Sequence, residues 1–293
     1  MNQKSNQNLQ LLNPKIDVVF HALFRKANSS ILEAMLSSIL GRKIKIKEFL
    51  DRHLDIVTAN EKFGVMDLRV EFEDGTNCNV EIQLNQYSYG NERFLYYLSD
   101  TYSRQLEKGN KYDNIHHTIS IVIIDYELDI LKGLDDLTVK WQMRDNKTGK
   151  RLLTDKFELA IIELPKAKRI YKTRNEDEIS QWMMFLDNPN NEEVVKIMDT
   201  NNDIRKATEE LKQVSGDYEL RRIAELREKA IRDEQAALDF AIKKGLEQGI
   251  EQGIEQGIEQ GILKTAKKLL SLNVDIDTIT KATGLSKEDL LKL

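Results

Sequence analysis

The stretch MDLRVEFEDGTNCNVEIQ, Met66 to Gln83, decides how the chain is read. Apolar and polar residues alternate on both sides of Glu73-Asp74-Gly75, the pattern of two strands joined by a tight turn. A three-residue loop with Gly75 in the left-handed position sets Phe72 against Thr76. Val70 then faces Cys78, Leu68 faces Val80 and Met66 faces Ile82. One face is therefore apolar except for Thr76 beside the loop. The other carries Asp67, Arg69, Glu71, Asn77, Asn79, Glu81 and Gln83. A two-residue loop would oppose apolar side chains of one strand to polar ones of the next. A slip of one residue is that costly, so the register is well determined.

In this register Asp67 lies opposite Glu81, with Cβ atoms about 5 Å apart and Gln83 on the diagonal. Like charges opposed in this way destabilise a sheet. A divalent cation reverses the sign, because hard carboxylate oxygens suit Mg²⁺ or Mn²⁺. The backbone carbonyl of Ile82 is a further candidate ligand. A solvated face of an ordinary antiparallel hairpin gives the same pattern, and spacing alone leaves both readings open.

The rest of the chain bounds what such a hairpin belongs to. Its 293 residues are enough for a core domain plus an appended module. Apolar residues make up 40% and charged residues 32%, the balance of a soluble globular chain. No apolar run approaches the roughly 20 residues that span a bilayer, so no membrane segment is expected. The start, MNQKSNQNLQ, lacks the apolar core of a secretory signal, and the cytoplasm is the default location. The single cysteine, Cys78, excludes an internal disulfide framework and a thiolate metal site. Four histidines without HxxxH spacing argue against structural zinc. The formal charge of −5 means that any nucleic-acid contact must come from local basic patches.

Around the hairpin, KIDVVFHALF and SSILEAMLSSILG have helical apolar spacing, with Asn13 or Asn28 as candidate caps and Gly41 as a C-cap. IKIKEF and DIVTAN read as extended. YGNERFLYYLSDTYSRQLEKG predicts a long helix ending at Gly109. Ile119 to Ile124 form an apolar β-branched run, the signature of a central strand buried on both faces. DLTVKWQM and KFELAIIEL predict further strands, and from Glu176 onward the chain is nearly all helical. The expected fold class is mixed α/β: a mixed central sheet flanked by helices, with a helical C-terminal extension. The expected divisions are 9–170 for the core domain, 171–244 for a helical extension, 245–262 for the repeat GLEQGIEQGIEQGIEQGI, and 263–293 for a small tail resembling a helix-turn-helix. In that tail Gly284 ends one helix, and Ser286 with Asp289 starts the next in capping-box fashion.

Asp67, a hairpin turn and then Glu81-Ile82-Gln83 resemble the PD-(D/E)XK nuclease signature in its D…ExQ form. More closely, the chain resembles the Rpn family of recombination-promoting nucleases, also called PD-(D/E)XK nuclease family transposases. The opening LLNPKIDVVFHALF, the helix ERFLYYLSDTYSRQLEKGNKY followed by a buried strand, the tetrapeptide repeat and the TGLS-containing tail all match that family's layout. The resemblance implies a restriction-endonuclease-like core and a metal-dependent DNA endonuclease with little sequence specificity, active in recombination, mobile-element or phage-defence biology. Asp67 and Glu81 would ligate Mg²⁺, or another divalent cation such as Mn²⁺ or Ca²⁺. Asp17 would contribute a further acidic group, and Gln83 occupies the position of the motif lysine. Glutamine supplies no positive charge and takes no proton, but it can orient a water or a phosphate oxygen. The residue before Asp67 is Met66, not proline.

Other residues have two readings each. Arg93 and Tyr97 share a helical face with Arg104 and Gln105 close to it, and could steady a DNA backbone. Tyr96, Tyr97 and Tyr102 fit a partly buried aromatic stripe better than a DNA contact. GRKIKIK, Gly41 to Lys47, could track a phosphate backbone or form a charged edge strand. His53, His116 and His117 read as surface or strand-end residues, and Cys78 as inert packing. In the repeat, five glycines from Gly245 to Gly261 cost about 1 kcal/mol each in a helix. Burial of the isoleucine stripe against a second copy would offset this, which favours a homo-oligomer; a solvated tether is the other reading. A catalytically inactive, DNA-associated oligomerising module on the same fold is the alternative function. Asp125 to Thr154 has no assignment beyond an insertion over the hairpin's polar face.

Overall fold

The computed structural model describes residues 10–50, 67–87, 89–106, 109, 111–174 and 176–293, with backbone alone at Asp67. DIVTAN and His53 lie outside the described residues. Six strands form one mixed sheet: β1 (Ile46–Phe49), β2 (Asp67–Phe72), β3 (Asn77–Gln83), β4 (Thr118–Ile124), β5 (Thr138–Gln142) and β6 (Phe157–Glu163). Their order is β1-β2-β3-β4-β6-β5. β3 and β6 run parallel to β4, and the remaining pairs are antiparallel. β4 is therefore central, and all of its residues are buried, as its β-branched run predicts.

The hairpin folds in the expected register: Asp67 pairs with Glu81, Leu68 with Val80, Arg69 with Asn79, Val70 with Cys78 and Glu71 with Asn77. The turn closes through Phe72 N–H to Thr76 O at 2.9 Å and Gly75 N–H to Phe72 O at 2.9 Å. Asp74 Oδ1 accepts from Thr76 N–H at 2.9 Å. Gly75 has φ +85°, and a Cβ there would stand 2.7 Å from His116 Nδ1, so both backbone and space demand glycine. β1 is an edge strand. The basic residues around it are paired: Arg42 with Asp74, Lys45 with Glu33 and Lys47 with Glu71. This is the charged-edge reading of GRKIKIK, in which the cations answer carboxylates of the same fold.

One helix, α3 (Gly90–Ser103), connects β3 to β4 and covers one face of the sheet. Phe94 and Leu98 from α3 pack with Val122, Ile124, Leu159 and Ile161. Each such side chain, fully buried, contributes roughly 1.5–3 kcal/mol. The helix stops at Ser103 rather than at the expected Gly109. Gln105 accepts from His116 N–H at 2.9 Å and donates to Thr118 Oγ1 at 2.6 Å, which pulls the chain off the helical path. Gly109, at φ +99°, serves a turn instead of a cap.

Cys78, Val80, Ile82, Ile119, Ile121, Ile123, Ala160 and Ile162 are also buried. Seven further helices belong wholly or in part to this unit: α1 (Asp17–Leu23), α2 (Ser29–Leu40), α4 (Leu164–Thr173), α5 (Glu178–Asp187), α6 (Glu192–Thr200), α7 (Asn202–Gly216) and the start of α8 (Tyr218–Ser271). Gly41 caps α2 in the left-handed conformation, as predicted. Asn28 precedes α2 but its side chain makes no cap bond. Trp182 and Phe185 of α5 meet edge to face at 6.0 Å within the core. The compact unit runs from Met1 to Lys229.

The second unit, Ala230–Leu293, contains the remainder of α8, α9 (Ile276–Thr283) and α10 (Lys287–Leu291). The tetrapeptide repeat is helical throughout. Ala266, Ile279 and Leu290 form a small core with Leu269, Leu270, Val274, Ile276 and Leu285. Gly284 caps α9 at φ +77°, and Ser286 Oγ accepts from Asp289 N–H at 3.1 Å, the capping arrangement expected from sequence. Among the described residues no helix is long and apolar enough to cross a membrane.

Candidate active site on the hairpin

Strand alternation and the pairing of β3 with β4 set which way the motif faces. Glu81 is level with Val122, Gln83 with Ile124 and Asn79 with Ser120. Val122 and Ile124 pack under α3, so Asn79, Glu81 and Gln83 lie on that same covered face. The solvated-face reading of the hairpin is thereby corrected at β3: Asn79 is 0%, Glu81 2% and Gln83 5% exposed. A short alternating strand cannot announce that a later helix will lie across its polar side.

Burial makes the polar groups hold one another. Gln83 Nε2 donates to Glu81 Oε1. Arg93, on the first turn of α3, places its guanidinium 3.4 Å from the same oxygen. The guanidinium also lies 5.3 Å from the Tyr97 ring, a cation–π distance. Asn79 Nδ2 reaches Ser120 Oγ at 3.5 Å. Arg69 of β2 pairs with Asp100 of α3 at 3.3 Å. Tyr126, just past β4, joins this neighbourhood. Burial, and then the negative charge of Glu81, push its hydroxyl up to about 12. The phenol is thus a neutral hydrogen-bonding group across the physiological range.

The other expected site residues divide. Asp67 faces Glu81 in the backbone register. Arg93 and Tyr97 meet each other, as their shared helical face predicts, and of the two it is Arg93 that reaches Glu81. Asp17 opens α1, accepts from Val18 N–H at 2.8 Å and lies 3.5 Å from Arg227 Nε. Those described partners include neither Glu81 nor Gln83. Arg104 pairs with Asp100 at 2.8 Å, and Gln105 ties down the start of β4. Eleven residues of helical rise, about 16 Å, separate Arg93 from Arg104. Arg104 and Gln105 therefore sit at the other end of α3 from the Glu81 cluster.

Two clusters escaped sequence reading. Lys15 Nζ bridges Asp125 at 2.8 Å and Asp187 at 2.9 Å, and Asp125 N–H donates to Gln83 O at 2.9 Å. Burial opposes the Lys15 charge, but the two carboxylates overcome it and raise its pKa. Glu163, ending β6, accepts from Leu128 N–H at 2.7 Å and pairs with Lys166 at 2.5 Å. Lys166 also donates to Leu131 O at 3.4 Å, so this buried pair pins the segment after Tyr126. The available signal was position: Asp125-Tyr126 and Glu163 follow directly on parallel strands, where α/β sheets gather their chemistry.

For a bound ion, the donor chemistry fits. The register sets one carboxylate residue across from another, and hard cations take such oxygens. Among the described residues no group of three acidic, histidine or cysteine side chains forms a metal cluster. Two cavities bear on the search for a site. One, of about 170 Å³, lies beside the cluster and is lined in part by Tyr87, Asn91 and Tyr126. The other, of about 700 Å³, opens among α4–α7 beside Tyr171 and Glu193 and contains no hairpin residue. The larger volume is remote from the motif, so size does not identify the site.

Comparison with known proteins agrees with this geometry. The family model described as PD-(D/E)XK nuclease family transposase matches residues 14–241. No curated protein and no solved structure matches the chain.

Proposed function

The chain belongs to the PD-(D/E)XK nuclease transposase family, and from that premise we propose that it is a metal-dependent DNA endonuclease with little sequence preference. The observation that carries the reading is the backbone pairing of Asp67 with Glu81, whose carboxylate lies beneath α3 with Gln83 and Arg93 on it. Asp67 and Glu81 would hold a divalent cation, Mg²⁺ or alternatively Mn²⁺ or Ca²⁺. Bound there, it would polarise the scissile phosphate and lower the pKa of the attacking water. Gln83 carries an amide donor and acceptor, so it orients water or a phosphate oxygen without taking a proton. Arg93 aims the Glu81 carboxylate, and its guanidinium supplies the positive charge that Gln83 lacks.

The test is nicking of supercoiled plasmid with and without Mg²⁺ by wild type, Asp67→Ala and Glu81→Ala. Metal-dependent nicking lost in both variants supports the reading. Equal activity in all three proteins removes it. A second reading, an inactive DNA-associated module, draws on the near-complete burial of Glu81 and on two donors already directed at Oε1. It requires a wild type that binds DNA and never nicks it.

Association of copies through the repeat is part of the same proposal. Ile250, Ile254 and Ile258 stand 54%, 59% and 59% exposed along that helix, an apolar row that a second copy would cover. Deletion of residues 245–262 is expected to lower the mass seen by light scattering, and an unchanged mass rejects the association.

A further inference from the structure

We propose that the cavity beside Glu81 receives one unpaired nucleobase of the DNA strand, so that the protein engages single-stranded or frayed DNA in preference to closed duplex. The proposal rests on the nuclease reading above and names the form of DNA that the site takes.

The cavity lies where the chain leaves β3 for α3 and where it leaves β4. Gln86, Tyr87, Gly90, Asn91, Tyr126 and Asp129 line it. Its volume of about 170 Å³ suits one planar ring system, not a base pair. It adjoins the proposed site through the chain: Gly90 and Asn91 share the first turn of α3 with Arg93, whose guanidinium lies 3.4 Å from Glu81, and Tyr126 follows Asp125, whose N–H bonds Gln83 O. A base lodged there belongs to a nucleotide near the scissile phosphate.

The lining chemistry selects a base over a phosphate. Among the six residues named there is no lysine, arginine or histidine, and Asp129 would repel an anion. Tyr87 presents an aromatic wall, and its ring is stacked on that of Tyr89 at 5.5 Å with planes 12° apart. The outer ring of the pair, Tyr89, is more than half exposed. Stacked tyrosines extend a platform outward from the cavity, and bases stack on such platforms whatever their sequence. Gln86 and Asn91 each offer an acceptor and two donors, which can satisfy the edge of any base. The neutral Tyr126 hydroxyl adds one more donor or acceptor. In a closed duplex the base is already stacked and paired, and entry would require it to be flipped out.

The experiment measures binding in EDTA, where no cleavage is needed. A fluorescein-labelled 15-nucleotide single strand and its blunt duplex are titrated with the full chain, and a strand carrying 2-aminopurine reports stacking by quenching. Expected is tighter binding of the single strand, with quenching on binding. Tyr87→Ala should weaken single-strand binding about tenfold or more and abolish the quenching while leaving duplex binding unchanged. Asn91→Trp, a change at an exposed helical position that fills the cavity, should do the same without risk to the core. Equal affinity for both DNA forms, or quenching unaffected by Asn91→Trp, overturns the proposal. The two failures are distinguishable: a wild type that nicks plasmid but shows no single-strand preference sinks the base receptor alone, and one that binds single strands but never nicks sinks only the catalytic reading.

Discussion

β3 and the repeat segment of α8 break the usual distribution of residues in opposite directions. β3 hides Asn79, Glu81 and Gln83 beneath a helix, whereas the repeat leaves a row of isoleucines in water. Each inversion has its own physical cost. A buried polar group without a partner costs about 1–3 kcal/mol, and the contacts of Gln83 and Arg93 with the Glu81 carboxylate offset part of that cost. Exposed isoleucines forgo burial, and the glycines beside them weaken the helix. The first region answers its conflict in part inside the fold, through contacts among its own residues, while Asn79 Oδ1 and Arg93 Nε are buried with no hydrogen-bond partner among the described residues. The second has no comparable resolution among the described residues: a Cβ added at Gly245, Gly249, Gly253, Gly257 or Gly261 would meet nothing within 4 Å. The buried polar cluster is where the proposed chemistry would sit, and the exposed apolar row is the surface that the proposed second copy would cover.

The largest expected effect tests the first region. Glu81→Gln removes the carboxylate charge with little change in shape. It should lower plasmid nicking by more than about 100-fold, since loss of even an outer-shell partner costs 10–100-fold. The melting temperature should hold, because relief of the like charge set across from Asp67 offsets the lost pairing with Arg93; a large fall would make Glu81 a structural group and erase the contrast. The next effect tests the second region by its sign. Gly249→Ala with Gly253→Ala should stabilise the isolated helix by about 1 kcal/mol per site, seen as a higher helical melt by circular dichroism. If copies pack through the glycine row, the same change should instead lower the oligomer mass.

Smaller effects refine the cluster around the hairpin. Arg93→Lys keeps the charge but loses the planar fork and its stacking on Tyr97, and should reduce nicking about tenfold. Unchanged rates would make the guanidinium dispensable. Lys15→Met should destabilise the fold by about 1 kcal/mol, a figure reduced for the partial exposure of Asp125 and Asp187. The pH dependence has a definite sign. Because the folded-state pKa of Lys15 is raised above 10.5, its contribution is complete below 10.5 and disappears as pH rises through the folded value. Wild type and Lys15→Met should therefore converge in urea stability at strongly alkaline pH, and a constant gap would refute the assignment.

Much of the fold was legible because each signal was local. Alternation and Gly75 set the hairpin register, the β-branched run of Ile119 to Ile124 gave the central strand, and Gly41 and Gly284 marked helix ends. What escaped depends on distant contacts. The polar face of β3 is buried by α3, whose own apolar stripe reads the same wherever the helix docks. The end of α3 at Ser103 follows from Gln105 bonding to His116 and Thr118 beyond a turn. Lys15, Asp125 and Asp187 lie up to 172 residues apart, and no window of sequence joins them. At the site, Glu81, Gln83 and Arg93 were readable from motif and helical spacing. Tyr126 was not, because parallel pairing brings its strand alongside β3 only after the chain has passed through α3.

The lone thiol has a practical consequence. Cys78 is wholly buried on the apolar side of the hairpin, and its burial drives the thiol far above its ordinary pKa. Maleimide reagents attack accessible thiolates, so the native chain is already silent toward them. A cysteine introduced at the exposed Glu251, or at the exposed Glu92 beside Tyr89, would be the sole reactive handle, with no need to disturb the core. Dyes or spin labels can then report separately on the repeat helix and on the aromatic platform.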